Sequence, residues 1–282
     1  MTPAALPDLL IEPLVRAALI EDLGPSGDVT TEAVIAPDLR YAARLNARQA
    51  GVVSGAQLAA MAFRLVDASL QIEVLRADGA QVAPGETVMT IAGSAASILS
   101  AERVALNFMG RLSGIATLTA AFVAQTAGTS ARITCTRKTT PGLRLVEKAA
   151  VRHGGGAAHR FSLSDAILIK DNHIAAAGGI AAVLERARRM ASHMRRIEIE
   201  VDTLAQLDEV LATGGADVVL LDNMHTEDLR AAVTRVAGQL VTEASGNMRL
   251  ERIAEVAATG VDYISVGALT HSAPVLDLGL DF

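Results

Sequence analysis

Hydrophobic positions in the second half of the chain repeat one pattern, in which a short apolar, β-branched run precedes a turn and a helical stretch. Six of these runs are predicted strands: 132–136, 166–169, 196–201, 218–221, 239–242 and 263–266. The stretches between them are predicted helices: 143–153, 180–193, 204–212, 226–236 and 250–259. This alternation predicts parallel β-structure, in either an α/β barrel or a doubly wound sheet.

Polar or small residues follow each of the six predicted strands. In chain order the strand ends carry Arg137-Lys138, Lys170, Glu200, Asp222, Glu243 and Gly267. The strand ends of a barrel converge on one site, whereas a doubly wound sheet gathers its ligand at a single switch point. The pattern therefore favours a barrel. Because a complete barrel has eight strands, we expect this one to be open or incomplete.

The first half of the chain has a different pattern. Helical periodicity over 9–23 and 57–66 alternates with extended runs over 41–53, 71–75 and 86–91, which is typical of an antiparallel α+β unit. The predicted fold class is α/β, with an N-terminal α+β sandwich domain over 1–112 and an α/β barrel domain over 113–269. The C-terminal tail, 270–282, is predicted to rejoin the N-terminal domain.

The longest uncharged run, 112–131, raises the question of a membrane span. Serine, threonine and glutamine residues interrupt it, so we predict a buried amphipathic helix instead. No basic segment precedes an apolar stretch at the N-terminus, so no signal peptide is predicted. We expect a soluble, cytoplasmic protein.

Composition narrows the class of ligand. Aromatic residues are 2% of the chain, which leaves few side chains for base stacking. The formal net charge is -6, yet the segment 132–170 carries eight Lys/Arg and two acids, a local charge of 8 - 2 = +6, and holds all three lysines. A cationic segment in an acidic chain indicates a small polyanionic ligand and argues against nucleic acid. The lone Cys135 excludes an internal disulfide and is predicted to be a small buried hydrophobe.

Four cationic residues near strand ends are the candidate anion ligands: Arg137, Lys138, Arg160 and Lys170. Arginine offers a planar fork to carboxylates and phosphates, whereas lysine offers a point charge. His159 joins this group because it lies beside Arg160, shortly after a run of three glycines.

Basic residues on the predicted helix 143–153 have a different interpretation. Because Glu147 lies among them, we expect an ordinary solvated helix face. Its basic members are Arg144, Lys148 and Arg152. His153 and His173 are isolated histidines, and we assign them structural roles.

Carboxylates alternate along the third predicted strand, so Glu198, Glu200 and Asp202 share one face. Buried carboxylates are costly without cations or a metal nearby. Glu200 and Asp222, at the ends of successive strands, could hold Mg²⁺ together with phosphate oxygens, directly or through water. They could equally stabilise a developing positive charge.

Small residues follow the last two predicted strands. Ser245-Gly246 and Gly267 occupy the position where barrels commonly build a phosphate-binding cup. Together with the cations and the carboxylate pair, they predict a barrel enzyme that acts on a phosphorylated sugar and a carboxylate.

An ordered set of short motifs runs through nearly the whole chain. It comprises Glu21-Asp22-Leu23, Asp28-Val29-Thr30-Thr31, Glu102-Arg103, 112–117, Thr136-Arg137-Lys138-Thr139, 141–144, Gly154-Gly155-Gly156, His159-Arg160, 170–174, 198–202, 221–224, 243–246 and 265–271. These motifs resemble the quinolinate phosphoribosyltransferase family (nicotinate-nucleotide pyrophosphorylases, carboxylating). The sequence departs from the family pattern at Asn247, where the family usually has a second glycine.

The resemblance implies a reaction and a set of roles. Quinolinate and phosphoribosyl pyrophosphate would give nicotinate mononucleotide, pyrophosphate and CO₂, with Mg²⁺, in de novo NAD biosynthesis. The implied catalytic residues are Lys138, Glu200 and Asp222, of which Glu200 and Asp222 would bind the metal. The implied substrate-binding residues are Arg103, Thr136, Arg137, His159, Arg160, Lys170, Glu243, Ser245, Gly246, Gly267 and His271. The family also implies a homodimer in which Arg103 reaches into the neighbouring subunit's site.

Three other interpretations remain open from the sequence. The first is a paralogue of the same fold, associated with molybdate-transport operons, that uses another acceptor. The second is a non-catalytic protein that binds a phosphosugar or a dicarboxylate. The third is a barrel aldolase in which Lys170 forms a Schiff base.

Overall fold

The computed structural model describes residues 4–282 as two compact units. The first unit comprises the chain up to Ala120, Thr139–Gly155 and Leu269–Phe282. The second unit comprises Ala121–Lys138 and Gly156–Ala268.

Helices and strands have the following bounds. The helices are α1 (Asp8–Leu23), α2 (Val29–Val34), α3 (Ala56–Val66), α4 (Ala95–Ala124), α5 (Arg144–His153), α6 (Asp171–Ala177), α7 (Ile180–Met190), α8 (Leu204–Thr213), α9 (Thr226–Val236), α10 (Leu250–Ala257) and α11 (Ala268–His271). The strands are β1 (Arg40–Ala47), β2 (Gly51–Val52), β3 (Gln71–Val74), β4 (Gln81–Val82), β5 (Thr87–Ser94), β6 (Arg132–Thr134), β7 (Ile167–Ile169), β8 (Ile197–Val201), β9 (Val218–Asp222), β10 (Val241–Ser245), β11 (Tyr263–Ser265) and β12 (Leu278–Asp281).

The first unit contains a four-stranded antiparallel sheet in the order β12-β1-β5-β3. Alternate residues of β1 point into the core, so Ala43, Leu45 and Ala47 are buried, as period-two alternation requires. Helix α3 adds a buried face that includes Phe63. The C-terminal strand β12 pairs with β1 in the register Arg44↔Asp281.

Helix α4 has the length and apolar composition of a membrane span, but 56% of its most apolar window is buried inside the protein. Two glycines let it pack closely within the first unit. A Cβ on Gly114 would lie 1.8 Å from the Pro274 carbonyl oxygen, and one on Gly110 would lie 2.8 Å from Val275. Such close approach is typical of a core helix. The expected helix over 112–131 is therefore the second half of a longer helix that ends at Ala124.

The second unit contains a six-stranded parallel sheet in the order β6-β11-β10-β9-β8-β7. Strands β6 and β7 are consecutive in the chain but lie at opposite edges, so the sheet is open. The central strands β8, β9 and β10 are largely buried along their length. Of these, β9 has the near-continuous apolar sequence typical of a parallel strand covered on both faces. Strands β8 and β10 instead carry buried or half-buried carboxylates, Glu198, Glu200 and Glu243. The predicted fold class, an antiparallel unit plus six parallel strands, is confirmed.

The expected solvated face on helix α5 is wrong for two of its residues. Glu147 is fully buried and Lys148 is 3% exposed. The carboxylate of Glu147 is paired with Arg111, whose Nη2 lies 2.9 Å from Oε1. Arg152, by contrast, is exposed as expected. Charged residues at helical spacing predict a polar stripe, but the spacing does not reveal that another helix supplies a partner for it.

Candidate active site

The carboxyl-terminal end of β8 places two carboxylates on one side of the sheet. Glu198 is buried, and the Glu200 side chain is 12% exposed. Asp202 does not continue this face, because β8 ends at Val201 and Asp202 is exposed. The predicted row of three carboxylates is therefore a pair within the strand.

The next strand end, at β7, brings a cation to that pair. The Nζ of Lys170 contacts Glu200 Oε2 in a salt bridge. The backbone of Lys170 is fixed by His173, whose Nδ1 accepts a hydrogen bond from the Lys170 N–H at 2.9 Å. Lys170 thereby caps helix α6, which sequence periodicity did not predict. An ammonium engaged by a carboxylate is a poor Schiff-base nucleophile, which counts against the aldolase interpretation.

His159 lies between two buried carboxylates from different strands. Its Nε2 is 3.3 Å from Glu198 Oε2 and 3.5 Å from Glu243 Oε1. The three side chains offer ligand atoms within 4.8 Å of one another, a spacing that could hold a metal ion. From the sequence, burial of Glu198 was expected to be costly, but no partner was predicted for its carboxylate. The feature that could have marked Glu198 as a site residue is its position two residues before Glu200, on the same face of the strand.

Two guanidinium groups lie in the same part of the second unit. Within residues 4–282, the buried Nε atoms of Arg137 and Arg160 have no hydrogen-bond acceptor. Burial lowers the pKa of Arg160, and the neighbouring Arg137 guanidinium lowers it further, while Glu198 and Asp165 raise it. Buried donors without protein acceptors are rare and mark positions where a ligand can supply the acceptor. Arg137 and Arg160 are therefore suited to bind an anion.

The loop after β6 carries Thr136 and Lys138. The Thr136 hydroxyl accepts a hydrogen bond from the Lys138 N–H at 3.0 Å, and Lys138 is exposed. This bond fixes the backbone beside Arg137.

The predicted phosphate cup is formed by a tight set of backbone turns. Gly246 has φ +88°, and a Cβ there would lie 2.2 Å from Asn223 Oδ1. Asn247 has φ +50°, a left-handed conformation that asparagine adopts more readily than most residues. This explains how Asn247 stands where the resemblance leads one to expect glycine. Gly267 lies between β11 and α11.

Asn247 also joins the cup to the predicted metal ligand Asp222. Its Nδ2 donates to Asn223 Oδ1 at 3.1 Å, and Asn223 Nδ2 donates to Asp222 Oδ2 at 2.5 Å. Asp222 ends β9, directly beside β8, which carries Glu200. Carboxylate oxygens such as those of Asp222 and Glu200 are the ligands that Mg²⁺ prefers, and Glu200 Oε2 is in a salt bridge with Lys170 in this structure.

Of the remaining predicted site residues, Ser245 ends β10 in the second unit, and Arg103 and His271 belong to the first unit. Arg103 lies on α4 with an exposed side chain. His271, also exposed, ends α11, and its Nδ1 is 2.6 Å from the Ser272 hydroxyl.

Comparisons with known proteins match both halves of the chain. A model described as the quinolinate phosphoribosyl transferase N-terminal domain matches residues 28–113, and the corresponding C-terminal domain model matches residues 115–281. The probable nicotinate-nucleotide pyrophosphorylase (carboxylating) of Bacillus subtilis is 42% identical over 97% of this chain and 93% of its own. The nicotinate-nucleotide pyrophosphorylase (carboxylating) of Mycobacterium leprae is 43% identical over 95% of each chain.

Solved structures give the same result. The nicotinate-nucleotide pyrophosphorylase of Francisella tularensis superposes with a TM-score of 0.94 at 39% identity, covering 98% of this chain and 97% of its own.

Proposed function

Because the chain belongs to the quinolinate phosphoribosyltransferase family, we propose that it makes nicotinate mononucleotide, pyrophosphate and CO₂ from quinolinate and phosphoribosyl pyrophosphate. Such a reaction serves NAD biosynthesis. The main support for the proposal comes from Arg137 and Arg160, two half-buried side chains whose buried Nε donors have no acceptor within residues 4–282. A planar dicarboxylate supplies acceptors of the matching geometry.

Quinolinate is held by cations at the strand ends. Arg137 and Arg160 grip its carboxylates, with Lys170 and His159 completing the set. Glu198 and Glu243 lie behind His159 at 3.3 and 3.5 Å. In that position the two carboxylates hold the imidazole. They also offset part of the positive charge of Arg137, Arg160 and Lys170 when no substrate is bound.

Phosphoribosyl pyrophosphate is held by the other half of the site. Lys138 binds its pyrophosphate, and Glu200 and Asp222 hold Mg²⁺, which when bound neutralises pyrophosphate charge. The 5′-phosphate is cradled by small and polar residues: Ser245, Gly246, Gly267 and His271. The short link from Asn247 through Asn223 to Asp222 sets the distance between this cup and the metal ligands.

Catalysis then consists of positioning and charge stabilisation. Departure of pyrophosphate leaves positive charge on the ribose, and the carboxylates of Glu200 and Asp222 stabilise it. The pyridine nitrogen of quinolinate attacks the anomeric carbon, so no protein nucleophile is needed. The positive nitrogen of the resulting pyridinium stabilises the electron pair left on C2 when the 2-carboxylate departs as CO₂, and a proton from water then forms the C2–H bond of the product. The cations keep two polyanions adjacent, and this positioning is the main contribution of the protein.

The assembly and the cellular location are part of the proposal. We infer a homodimer in which Arg103 is contributed to the neighbouring subunit's site, and a cytoplasmic enzyme. The exposed position of Arg103 on α4 supports a role toward a partner. We assign the first unit, which includes the C-terminal tail, to the N-terminal domain, and the second unit to the phosphoribosyltransferase domain. The compact units differ from the predicted domain bounds, because Thr139–Gly155 groups with the first unit and not with the parallel sheet.

The test is direct. Purified protein is mixed with quinolinate, phosphoribosyl pyrophosphate and Mg²⁺, and nicotinate mononucleotide is followed by chromatography. Product that requires all three components supports the proposal and excludes a binding protein without turnover. Absence of product in folded protein that binds phosphoribosyl pyrophosphate would overturn it in favour of a phosphoribosyltransferase with another acceptor.

A further inference from the structure

Glu147 is a buried carboxylate that the proposed reaction does not use. Its Oε1 accepts from Arg111 Nη2 at 2.9 Å and from Arg111 Nε at 3.2 Å. The same carboxylate binds both polar groups of Thr140, with the hydroxyl 2.7 Å from Oε1 and the backbone N–H donating to Oε2 at 3.0 Å. Glu147 therefore holds a guanidinium and a turn residue at once.

Arg111 extends this arrangement to a second segment. Its Nη1 donates to the Ala273 carbonyl at 3.2 Å, and its Nη2 also contacts the Thr270 carbonyl. The fixed fork of arginine allows it to bind a carboxylate and two backbone carbonyls simultaneously. Within the first unit, one ion pair thus connects α4, α5, the turn at Thr140 and the segment that follows α11.

Both segments adjoin residues assigned to phosphoribosyl pyrophosphate. Thr140 comes two residues after Lys138, and His271 directly follows Thr270. Two residues of chain span at most about 7 Å, so an anchored Thr140 limits how far the backbone of Lys138 can move. The turn is closed by the Leu143 N–H, which donates to the Thr140 carbonyl at 3.0 Å. Thr140 itself is exposed, so packing alone does not fix it, and the two bonds to Glu147 are its anchor.

We propose that Glu147 and Arg111 are positioning residues for phosphoribosyl pyrophosphate. They fix the turn that follows Lys138 and the segment that carries His271, and neither contacts the substrate. The inference rests on the proposed function for the identity of the ligand. A positioning role differs from a purely stabilising role in one respect. If Thr140 loses its bond to Glu147 while the ion pair stays intact, KM for phosphoribosyl pyrophosphate must change.

The decisive variant is Thr140→Val, which removes the hydroxyl bond to Glu147 and preserves the shape of the side chain, the backbone N–H and the ion pair. The matched control is Thr119→Val, which removes a buried hydroxyl from the same helix as Arg111, where it donates to the Ile115 carbonyl at 2.7 Å. Glu147→Gln is the stronger variant, because its amide presents N–H groups to donors.

Steady-state kinetics and thermal unfolding are measured for all four proteins. We expect Thr140→Val to raise KM for phosphoribosyl pyrophosphate by about 10-fold and to leave KM for quinolinate near the wild-type value. Glu147→Gln should lose about 10²-fold in kcat/KM for phosphoribosyl pyrophosphate. Thr119→Val should leave both KM values unchanged, whatever it does to Tm.

Tryptic cleavage supplies a readout that is independent of turnover. Trypsin cuts after Arg137, Lys138 and Arg144, which flank the turn. Loss of the Glu147 anchor should accelerate cleavage at these bonds several-fold in Thr140→Val and Glu147→Gln, and not in Thr119→Val. The folded protein is digested, and the fragments are then identified by mass spectrometry.

Wild-type kinetics in Thr140→Val, with active wild-type enzyme, would overturn the positioning role and leave the proposed function standing. An inactive wild-type enzyme would instead overturn the proposed function. The cleavage rates then decide the anchor: equal rates in all four proteins would overturn it as well. If Glu147→Gln does not fold, Thr140→Val carries the test alone.

Discussion

Two buried carboxylates, Glu147 in the first unit and Glu198 in the second, have opposite surroundings. Both oxygens of Glu147 accept hydrogen bonds from Arg111 or Thr140. Glu198 has one oxygen, Oε1, that is buried without a hydrogen-bond partner within residues 4–282, although Oε2 lies 3.3 Å from His159. Fully satisfied buried groups rigidify a fold, whereas incompletely satisfied ones cluster where a ligand binds. The difference separates the scaffold of this protein from its site.

The largest effect is expected when a cation is removed from the proposed site. Arg160→Ala should lower kcat/KM for quinolinate by about 10³-fold, because a charged bidentate contact is lost in a water-excluded site. Its Tm should fall only slightly: although Nη1 of Arg160 donates to the Ala166 carbonyl at 3.1 Å, its buried Nε has no acceptor within residues 4–282. Kinetics and thermal unfolding on the same preparation test both statements.

Lys138→Ala is the companion variant and should abolish turnover at working concentrations of phosphoribosyl pyrophosphate, with the fold intact. Near-normal activity in either variant would contradict the assignment of the site.

Removing the satisfied carboxylate should give the opposite result. Glu147→Ala leaves the guanidinium of Arg111 without its counter-ion and should lower the free energy of unfolding by about 3 kcal/mol. We take the lower end of the range for buried pairs because the Arg111 side chain is 26% exposed. Denaturant unfolding of wild type and variant measures the loss. An unchanged unfolding midpoint would show that the hydrogen bonds of Glu147 do not stabilise the fold, and the contrast drawn with Glu198 would then fail.

Asn247 provides a smaller and more local test. Asn247→Ala places a Cβ-bearing residue at φ +50° without the local polar contacts of asparagine, which should cost about 1 kcal/mol. Asn247→Gly loses the same side-chain bond to Asn223 but accepts the backbone conformation. KM for phosphoribosyl pyrophosphate should therefore rise by less than about 10-fold, and by less in Asn247→Gly than in Asn247→Ala. Equal KM values in the two variants would show that backbone strain at residue 247 does not affect binding of phosphoribosyl pyrophosphate.

The smallest effect concerns pH and His153. Burial lowers the pKa of His153, and Asp78 raises it in part; its Nδ1 lies 2.8 Å from the Ser54 hydroxyl. The folded state therefore binds fewer protons than the unfolded state, whose histidine titrates near 6.5. Stability contributed by His153 is full above that pH and is lost as the pH falls below it.

The measurement is Tm at pH 7.5 and pH 5.5 for wild type and His153→Asn, whose amide can replace Nδ1. The acid-induced fall in Tm should be smaller in the variant by about 2 °C or less. An equal fall in both proteins would contradict the direction given for His153. Burial raises the pKa of Asp78, so protonation of Asp78 opposes this loss at lower pH.

The alternation of apolar runs and helices was enough to predict the parallel sheet, because a strand that is followed by a helix returns to the sheet as a parallel neighbour. Arg137 and Lys170 could be selected because each follows a strand. Arg160 could be selected because it lies beside His159, shortly after a run of three glycines. The burial of Lys148 and Glu147 could not, since helical spacing does not encode the partner that Arg111 provides across 36 residues of chain. Helix α6 was not predicted, because a helix of seven residues is too short to show a clear hydrophobic periodicity.

The pairing of β12 with β1 has a consequence for synthesis on the ribosome. Asn46 donates from Nδ2 to Asp281 Oδ2 at 2.7 Å, across 235 residues of chain. At ~5–20 residues per second, the second residue emerges roughly 10–50 s after the first. During that interval the outer edge of β1 is open to pairing with other strands. The second unit, by contrast, is complete once Ala268 has been added. The order of translation therefore lets the parallel sheet form while the antiparallel sheet of the first unit still awaits β12.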